Sequence, residues 1–373
     1  MTELTNHEFI VFAMDHYNPL GVVRSIGGVK KPIVIAEKSK TDVSSYSKYI
    51  KEYIRVETVD EGYEVLTKRF SNLPFPPFLI TCDDRTIEYL DNRYDEWKDK
   101  FIGFHAGSTG RITRFMDKFA ILELAKKHGL RTLDTVCVDK GIVPEGMEYP
   151  VITKSISPVI GGWKSDVHIC WTREELETAY EKIKAPKVII QKYIDKKNEY
   201  CIDGFCAKKG TVVFNAIEST YNYLIPGYYS PYMTVRNFSR PEIGKALAGM
   251  MEEIGFEGIC SIEFLIDQDD NYYFSEINFR NSTWSYAATK AGMNLPLLWA
   301  QCMIDGIVPE EKKIPEGFTA MVEPIDYGKR VKTGKAELGE WLRDFKEAGC
   351  TFYYSSDDIE PFLYMCRNWE MLS

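Results

Sequence analysis

Two apolar runs, Gly258 to Ile266 and Tyr272 to Asn278, flank the polar stretch Asp-Gln-Asp-Asp-Asn at 267–271. Turn-forming residues between two β-prone runs predict an antiparallel hairpin, and no other stretch of the chain restricts its fold as tightly. Polar and apolar residues alternate in Glu276-Ile-Asn-Phe-Arg280. Side chains on a strand alternate between faces with a period of two, so Glu276, Asn278 and Arg280 share one face and Ile277 and Phe279 the other. With the turn centred on Asp269-Asp270, Glu263 lies opposite Glu276 and Ser261 opposite Asn278, their Cβ atoms about 5 Å apart. Two carboxylates that close need a cation, or one keeps its proton. Oxygen ligands suit a hard cation, and Mg²⁺ takes one or two carboxylates together with phosphate oxygens and water. Arg280, farther along the same face, has a fork that grips a phosphoryl or carboxylate group. A solvated Glu/Asn/Arg face stays open as the alternative. Against it, Ile262, Phe264, Ile277 and Phe279 mark the opposite face as covered.

Composition narrows the class. The chain has 373 residues, 45% hydrophobic and 27% charged, which is ordinary for a soluble globular protein of about two to three domains. A net charge of −9 disfavours nucleic acid, which needs a basic face. No apolar run approaches the ~18 residues of a membrane span. The start, Met-Thr-Glu-Leu-Thr-Asn-His-Glu, lacks the pattern of a signal peptide. Nine scattered cysteines, none in a C-x-x-C pair, suit a reducing compartment. Cys201 and Cys206 read as small buried apolar residues rather than metal ligands. The expectation is a cytoplasmic protein with no nucleic-acid or membrane partner.

Along the chain, strand-like runs at 8–15, 32–36 and 78–81, with a helix over 20–26 after the Asn18-Pro19 turn, predict a small doubly wound α/β unit. Its first loop lies where such sheets bind ligands. The spacing of Phe115, Phe119, Leu122 and Ala125 predicts one amphipathic helix over 112–128, stopped by Gly129. Strands are expected at 150–156, 167–170, 187–194, 199–207 and 211–218. Thr172-Arg-Glu-Glu175 and Ser239-Arg-Pro-Glu242 read as capping boxes, the second opening a helix that stops at Gly255. A last amphipathic helix spans about 335–348.

The hairpin, taken with four other segments in order, resembles the ATP-grasp superfamily. Met116-Asp-Lys118 opens a helix ending in Lys127-His-Gly129, like the segment before the ATP-binding lobes of that family. Tyr149-Pro-Val-Ile-Thr-Lys154 resembles the strand with the first phosphate-binding lysine. Gly161-Gly-Trp-Lys164 resembles the loop that closes over the phosphates, although such loops are usually richer in glycine and serine. Val188-Ile-Ile-Gln-Lys-Tyr-Ile194 with Glu199 resembles the hinge around adenine and ribose, where the family often has a glutamate at the place of Gln191. The match runs over about 110–305. It implies an α/β fold with α+β lobes: an N-terminal doubly wound domain at 1–110, a small lobe at 111–195, a large lobe at 196–310 and an extension at 311–373.

The resemblance also implies roles. Lys118, Lys154 and Lys164 would contact the phosphates of ATP. Gln191, Lys192 and Ile194 would line adenine, and Glu199 would accept the ribose hydroxyls. Glu263, Glu276 and Asn278 would hold two Mg²⁺ ions, for which Mn²⁺ would substitute. Arg280 would stabilise the transferring phosphoryl group. The reaction implied is ATP-dependent carboxylate–amine ligation through an acyl phosphate, with ADP and phosphate released and small-molecule carboxylate and amine substrates.

The run Asn18 to Gly27, with Ser45 to Tyr49, resembles a branch related to D-aspartate ligases, which implies addition of an amino acid such as aspartate to a peptide or cell-wall precursor. A small-molecule kinase and a nucleotide-binding partner without catalysis are the other two readings. Arg24 stands as a substrate-carboxylate ligand or a helix-surface arginine. The tyrosines at 221, 223, 228, 229 and 232 line an acceptor pocket or pack a loop, and Trp163 packs in the core or covers the nucleotide. Residues 311–373 cap the acceptor site or make a homodimer contact.

Overall fold

Short β-branched and aromatic runs build the first sheet. In the computed structural model, which describes residues 3–14, 17–38, 43–156 and 163–368, five parallel strands stand in the order β3-β2-β1-β4-β5. They are β1 (Phe9–Met14), β2 (Ile33–Glu37), β3 (Glu52–Val56), β4 (Phe78–Thr81) and β5 (Ile102–Gly103). The order reverses between β1 and β4, and in open sheets the crevice beyond that reversal is where ligands sit. Tyr17 and Asp84 begin the helices that follow these two strands. The first helix runs over Tyr17–Gly27 rather than from Leu20, because Pro19 falls in its first turn, where a missing N–H does no harm.

The second sheet is antiparallel, in the order β6-β9-β7-β8: β6 (Thr135–Asp139), β7 (Val151–Ser155), β8 (Ile169–Cys170) and β9 (Lys187–Lys192). Gly161 and Gly162, read above as part of a phosphate-covering loop, lie outside the described residues, as do the side chains of Trp163 and Lys164. The helix Arg173–Lys182 begins as expected, with the Thr172 side chain accepting from the Glu175 amide.

The third sheet has the order β14-β13-β10-β11-β12-β15-β16, from β10 (Asn198–Ala207), β11 (Val212–Tyr221), β12 (Tyr232–Arg236), β13 (Gly258–Ile266), β14 (Tyr272–Asn278), β15 (Thr319–Met321) and β16 (Cys350–Thr351). One face of β10 and β13 packs Ile202, Ile262 and Phe264 into a core with Leu247, Met250 and Ile254 of the helix Pro241–Ile254. The last two strands come from the 311–373 extension, which is thereby part of this sheet.

Two expectations about helices are corrected. The 112–128 segment is two helices, Arg111–Phe115 and Lys118–Lys127. Asp117 breaks it: its carboxylate accepts from the Phe119 and Ala120 amides at 2.8 and 2.9 Å, as an N-cap. The Ser239 box is not one. Arg240 occupies the cap position without a side-chain bond, and Ser239 instead donates through its amide and hydroxyl to Glu218.

Candidate active site

The β13–β14 hairpin has the expected register where it matters. Glu263 pairs with Glu276 and Ser261 with Asn278, but a bulge at Ser275 brings Phe264 opposite Phe274. Ile262, Phe264, Ile277 and Phe279 are buried. Glu263, Glu276, Asn278 and Arg280 face a cavity of about 740 Å³ whose wall also includes Lys118, Ser155, Lys196 and Glu199, and Tyr17 and Asp84 from the switch-point crevice.

A polar chain crosses this wall. Lys118, the first residue of its helix, pairs with Glu276. Asn278 Nδ2 donates to Glu263 Oε1 at 2.9 Å. Arg280 donates to Asn278 Oδ1 at 3.0 Å and, through Nε, to Asp84 Oδ1 at 3.1 Å. Burial pushes the Glu263 carboxyl up to about 8, with the charge of Glu276 adding to it. Lys118 holds Glu276 below its ordinary value, against the effect of burial. The two carboxylates on one wall thus differ: one is matched by a lysine, and the other is an oxygen donor short of positive charge. Among the described residues no three His, Cys, Asp or Glu side chains form a metal-binding group. A cation here would rest on the two carboxylates, the amide oxygen and oxygens of a ligand or water, a set that fits Mg²⁺.

The remaining expected site residues are spread more widely. Glu199 lines the cavity and pairs with Lys196. Lys154 Nζ donates to Gln191 Oε1, and Gln191 Nε2 to Thr135 Oγ1, both at 2.9 Å. The Gln191 side chain is therefore engaged in holding that lysine. Burial first, and the charge of Lys118 second, lower the Lys154 ammonium to about 8. Lys192, on the opposite face of β9, pairs at the surface with Glu148 at 2.9 Å. Ile194 is half-buried beyond the end of β9. None of Lys154, Gln191, Lys192 and Ile194 is among the residues that line the cavity.

The tyrosine cluster divides. Tyr221, Tyr228 and Tyr229 line the cavity, whereas Tyr223 donates to Asp326 at 2.6 Å and the Tyr232 ring lies by Arg330. Arg24 fits neither of its two readings: it is buried and tied to Asp358 at 2.8 Å. Cys201 and Cys206 are buried free thiols, as expected. Sequence reasoning missed Tyr17, Asp84 and Lys196. For the first two, a position just after β1 and β4 was the available signal. For Lys196, it was the Asp-Lys-Lys run beside the hinge.

Residues 136–305 match the carbamoyl-phosphate synthase L chain, ATP-binding domain family. A pyruvate carboxylase subunit of Methanothermobacter thermautotrophicus is 25% identical over 277 residues, 64% of this chain and 54% of that protein. The 2-oxoglutarate carboxylase small subunit of Hydrogenobacter thermophilus is 28% identical over 201 residues, 48% of this chain and 40% of the relative. The chain thus spans about half the length of the curated relatives it matches. Among solved structures, L-amino acid ligase from Bacillus licheniformis superposes with a TM-score of 0.63 at 15% identity, covering 82% of this chain and 75% of that one. N5-carboxyaminoimidazole synthetase from Staphylococcus aureus gives 0.66 at 13%, covering 88% and 86%. Its three sheets and carboxylate-bearing hairpin, taken with these likenesses, give the chain the ATP-grasp fold.

Proposed function

We propose that the chain is an ATP-dependent carboxylate–amine ligase that works through an acyl phosphate. The observation that carries this reading is the convergence of Lys118, Glu263, Glu276, Asn278 and Arg280 on one cavity wall. Phosphoryl transfer depends chiefly on positioning and charge neutralisation, and these residue types serve both. Lys118, Lys154 and Lys164 bind the phosphates. Gln191, Lys192 and Ile194 flank adenine through the main chain of the hinge, since the Gln191 and Lys192 side chains are engaged by Lys154 and Glu148, and Glu199 holds the ribose. Glu263, Glu276 and Asn278 hold Mg²⁺, two ions in this reading, with Mn²⁺ as a substitute. The bound metal supplies charge neutralisation along the phosphates. Arg280 stabilises the phosphoryl group in transit and then the acyl phosphate. The functional lobes are 1–110, 111–195 and 196–310, with the 311–373 extension behind them.

In the first step a substrate carboxylate oxygen bonds to the γ-phosphorus, the bond to the bridging oxygen breaks, and ADP leaves. In the second the amine nitrogen bonds to the acyl carbon, the carbon–oxygen bond to phosphate breaks, and phosphate leaves as the nitrogen loses a proton. The curated relatives, named as carboxylases, favour a second reading in which the carboxylate is bicarbonate. An acidic amino acid such as aspartate, joined to a peptide or cell-wall precursor, is the substrate suggested by the sequence resemblance.

The reading places the protein in the cytoplasm. Its free cysteines suit a reducing compartment, and among the described residues no helix is long and apolar enough to cross a membrane. A homodimer through the 311–373 segment is supported by the exposed Leu338, Leu342 and Tyr354, and a monomeric mass in solution removes it.

The test is ADP and phosphate release from Mg-ATP with amino acids singly and in pairs, with and without bicarbonate. Turnover that requires a carboxylate and an amine together, and falls at least ~100-fold in Glu276→Ala, as loss of transition-state charge stabilisation does, is the expected result. Release with a hydroxyl substrate alone makes the protein a kinase. Release with bicarbonate as the sole required carboxylate selects the carboxylase-like reading.

A further inference from the structure

Beyond Arg280 the character of the cavity changes. The wall there is aromatic, formed by Tyr17, Tyr228, Tyr229 and Trp284. Tyr17 and Tyr229 join their hydroxyls at 2.7 Å, and Tyr228 stacks on Tyr229 with ring centroids 4.5 Å apart. The phenols thus satisfy one another, and what they offer a ligand is mainly ring surface. Tyr17 and Trp284 are buried, while Tyr228 and Tyr229 are half-exposed to the cavity. Phe352 of the C-terminal extension backs this wall, packing edge-on against Trp284 at 5.3 Å and Tyr17 at 6.2 Å, so the rings are held in place.

The charges of the lining are unevenly shared out. Its described cations are Lys118, Lys196 and Arg280. Each has a carboxylate partner: Lys118 has Glu276, Lys196 has Glu199, and Arg280 has Asp84, whose Oδ1 lies 3.1 Å from its Nε. The Arg280–Asp84 pair is the one that borders the aromatic end. Lys329 lies over the Tyr228 ring, 4.7 Å from its centroid, and is not part of the lining.

We propose, on the basis of the ligase reading above, that this end of the cavity takes an α-amino acid with an aromatic or bulky apolar side chain, and not an acidic one. Arg280 receives its carboxylate, Asp84 its ammonium, and the rings of Tyr228 and Tyr229 its side chain. A zwitterion matches the one cation and one anion at the boundary. A side-chain carboxylate carried past them loses its water among rings that offer no further cation, and burying an unpaired charge is strongly unfavourable. A large apolar side chain gains from the same burial. Discrimination comes from what the pocket leaves unpaired, the usual source of strong selectivity.

Binding of L- and D-phenylalanine, leucine and aspartate to the full chain, measured calorimetrically with Mg²⁺ and a non-hydrolysable ATP analogue, tests this. The expected result is at least tenfold tighter binding of phenylalanine or leucine than of aspartate. Tyr229→Ala should lose that preference while keeping its affinity for the ATP analogue. Tyr229→Phe, which keeps the ring, should retain it, and Tyr228→Ala gives a second route to the same loss if Tyr229→Ala misfolds. Tighter binding of aspartate overturns the proposal, and so does a chain that binds the analogue but no amino acid. Phosphate release with ATP in the same samples separates the two readings. Turnover with aspartate but not phenylalanine leaves the ligase standing and removes the aromatic subsite. Phenylalanine binding without turnover in any pairing leaves the subsite standing and removes the ligase.

Discussion

Asp203 shows what one residue contributes beneath the site. It lies buried on β10 beside a bulge, where Asp203 and Gly204 break the register with β11. A Cβ at Gly204 would stand 2.1 Å from the Phe214 carbonyl oxygen, so the bulge depends on glycine. Bulges beside active sites re-aim side chains, and here Asp203 is turned toward Ser282 and Ser285, which donate to it, just past Arg280. Burial pushes its carboxyl from 3.8 up to about 6, against the pull of the two serines. A raised carboxyl holds its proton more tightly in the folded chain. The stability it lends is therefore complete below its ordinary value and is lost as pH rises toward 6. The Asp203→Asn variant escapes that loss. Relative to the parent it should gain about 3 kcal/mol between pH ~4 and pH ~6 and stay level above. Denaturant unfolding across that range checks it, and a flat difference shows that Asp203 is not held neutral.

At the scale of an element, the hairpin combines two registers. Near the turn Phe264 faces Phe274, while at the site Glu263 faces Glu276, and Ser275 is the extra residue between them. A turn centred half a residue away still predicts the pairing found at the site, and the bulge accounts for the difference. Deleting Ser275 should merge the two registers into one regular ladder, with Phe274 still opposite Phe264 and Glu276 still opposite Glu263, because only the extra residue is removed. ATP-dependent phosphate release should therefore stay well above the Glu276→Ala level. Release at that level would show that the bulge itself, and not the pairing alone, aims the polar face. The broken helix at 116–117 illustrates the opposite outcome. Phe115, Phe119, Leu122 and Ala125 keep a helical period across the break, so periodicity alone does not reveal it. The signal was Asp117, whose short carboxylate competes for the amides ahead of it and so sets Lys118 at the start of a helix.

Across the whole molecule, the two ends of the chain meet. Arg24 donates to Asp358 and to the carbonyls of Phe352, Tyr353 and Asp358 at 2.8–2.9 Å. Asp358 also accepts from the Ser47 hydroxyl and the Lys48 amide, each at 2.8 Å. The first sheet is thereby fastened to the extension whose Phe352 backs the aromatic wall. Removing one partner of a buried pair strands the other charge, so Arg24→Ala should cost about 3–5 kcal/mol. It should leave the KM for substrates close to that of the parent at temperatures where both are folded. A raised KM with unchanged stability returns Arg24 to the role of a substrate ligand.

The sequence by itself determined the longer apolar strands, the hairpin pairing and the set of groups on its polar face, because alternation and turn chemistry are local and survive without knowledge of neighbours; β3, β5, β6, β12, β15 and β16 went unread, being two to five residues long and defined by the strands they pair with. Tertiary structure decided the rest. That Lys118 pairs with Glu276, that Asp84 and Tyr17 join a wall made mostly by residues far along the chain, and that Lys192 faces outward toward Glu148 all depend on how three sheets meet. The same holds for Arg24, whose partner lies 334 positions away. A charged side chain in the sequence carries no mark of whether its counter-charge will be water, a ligand or a carboxylate from the other end of the chain, and only packing makes that choice.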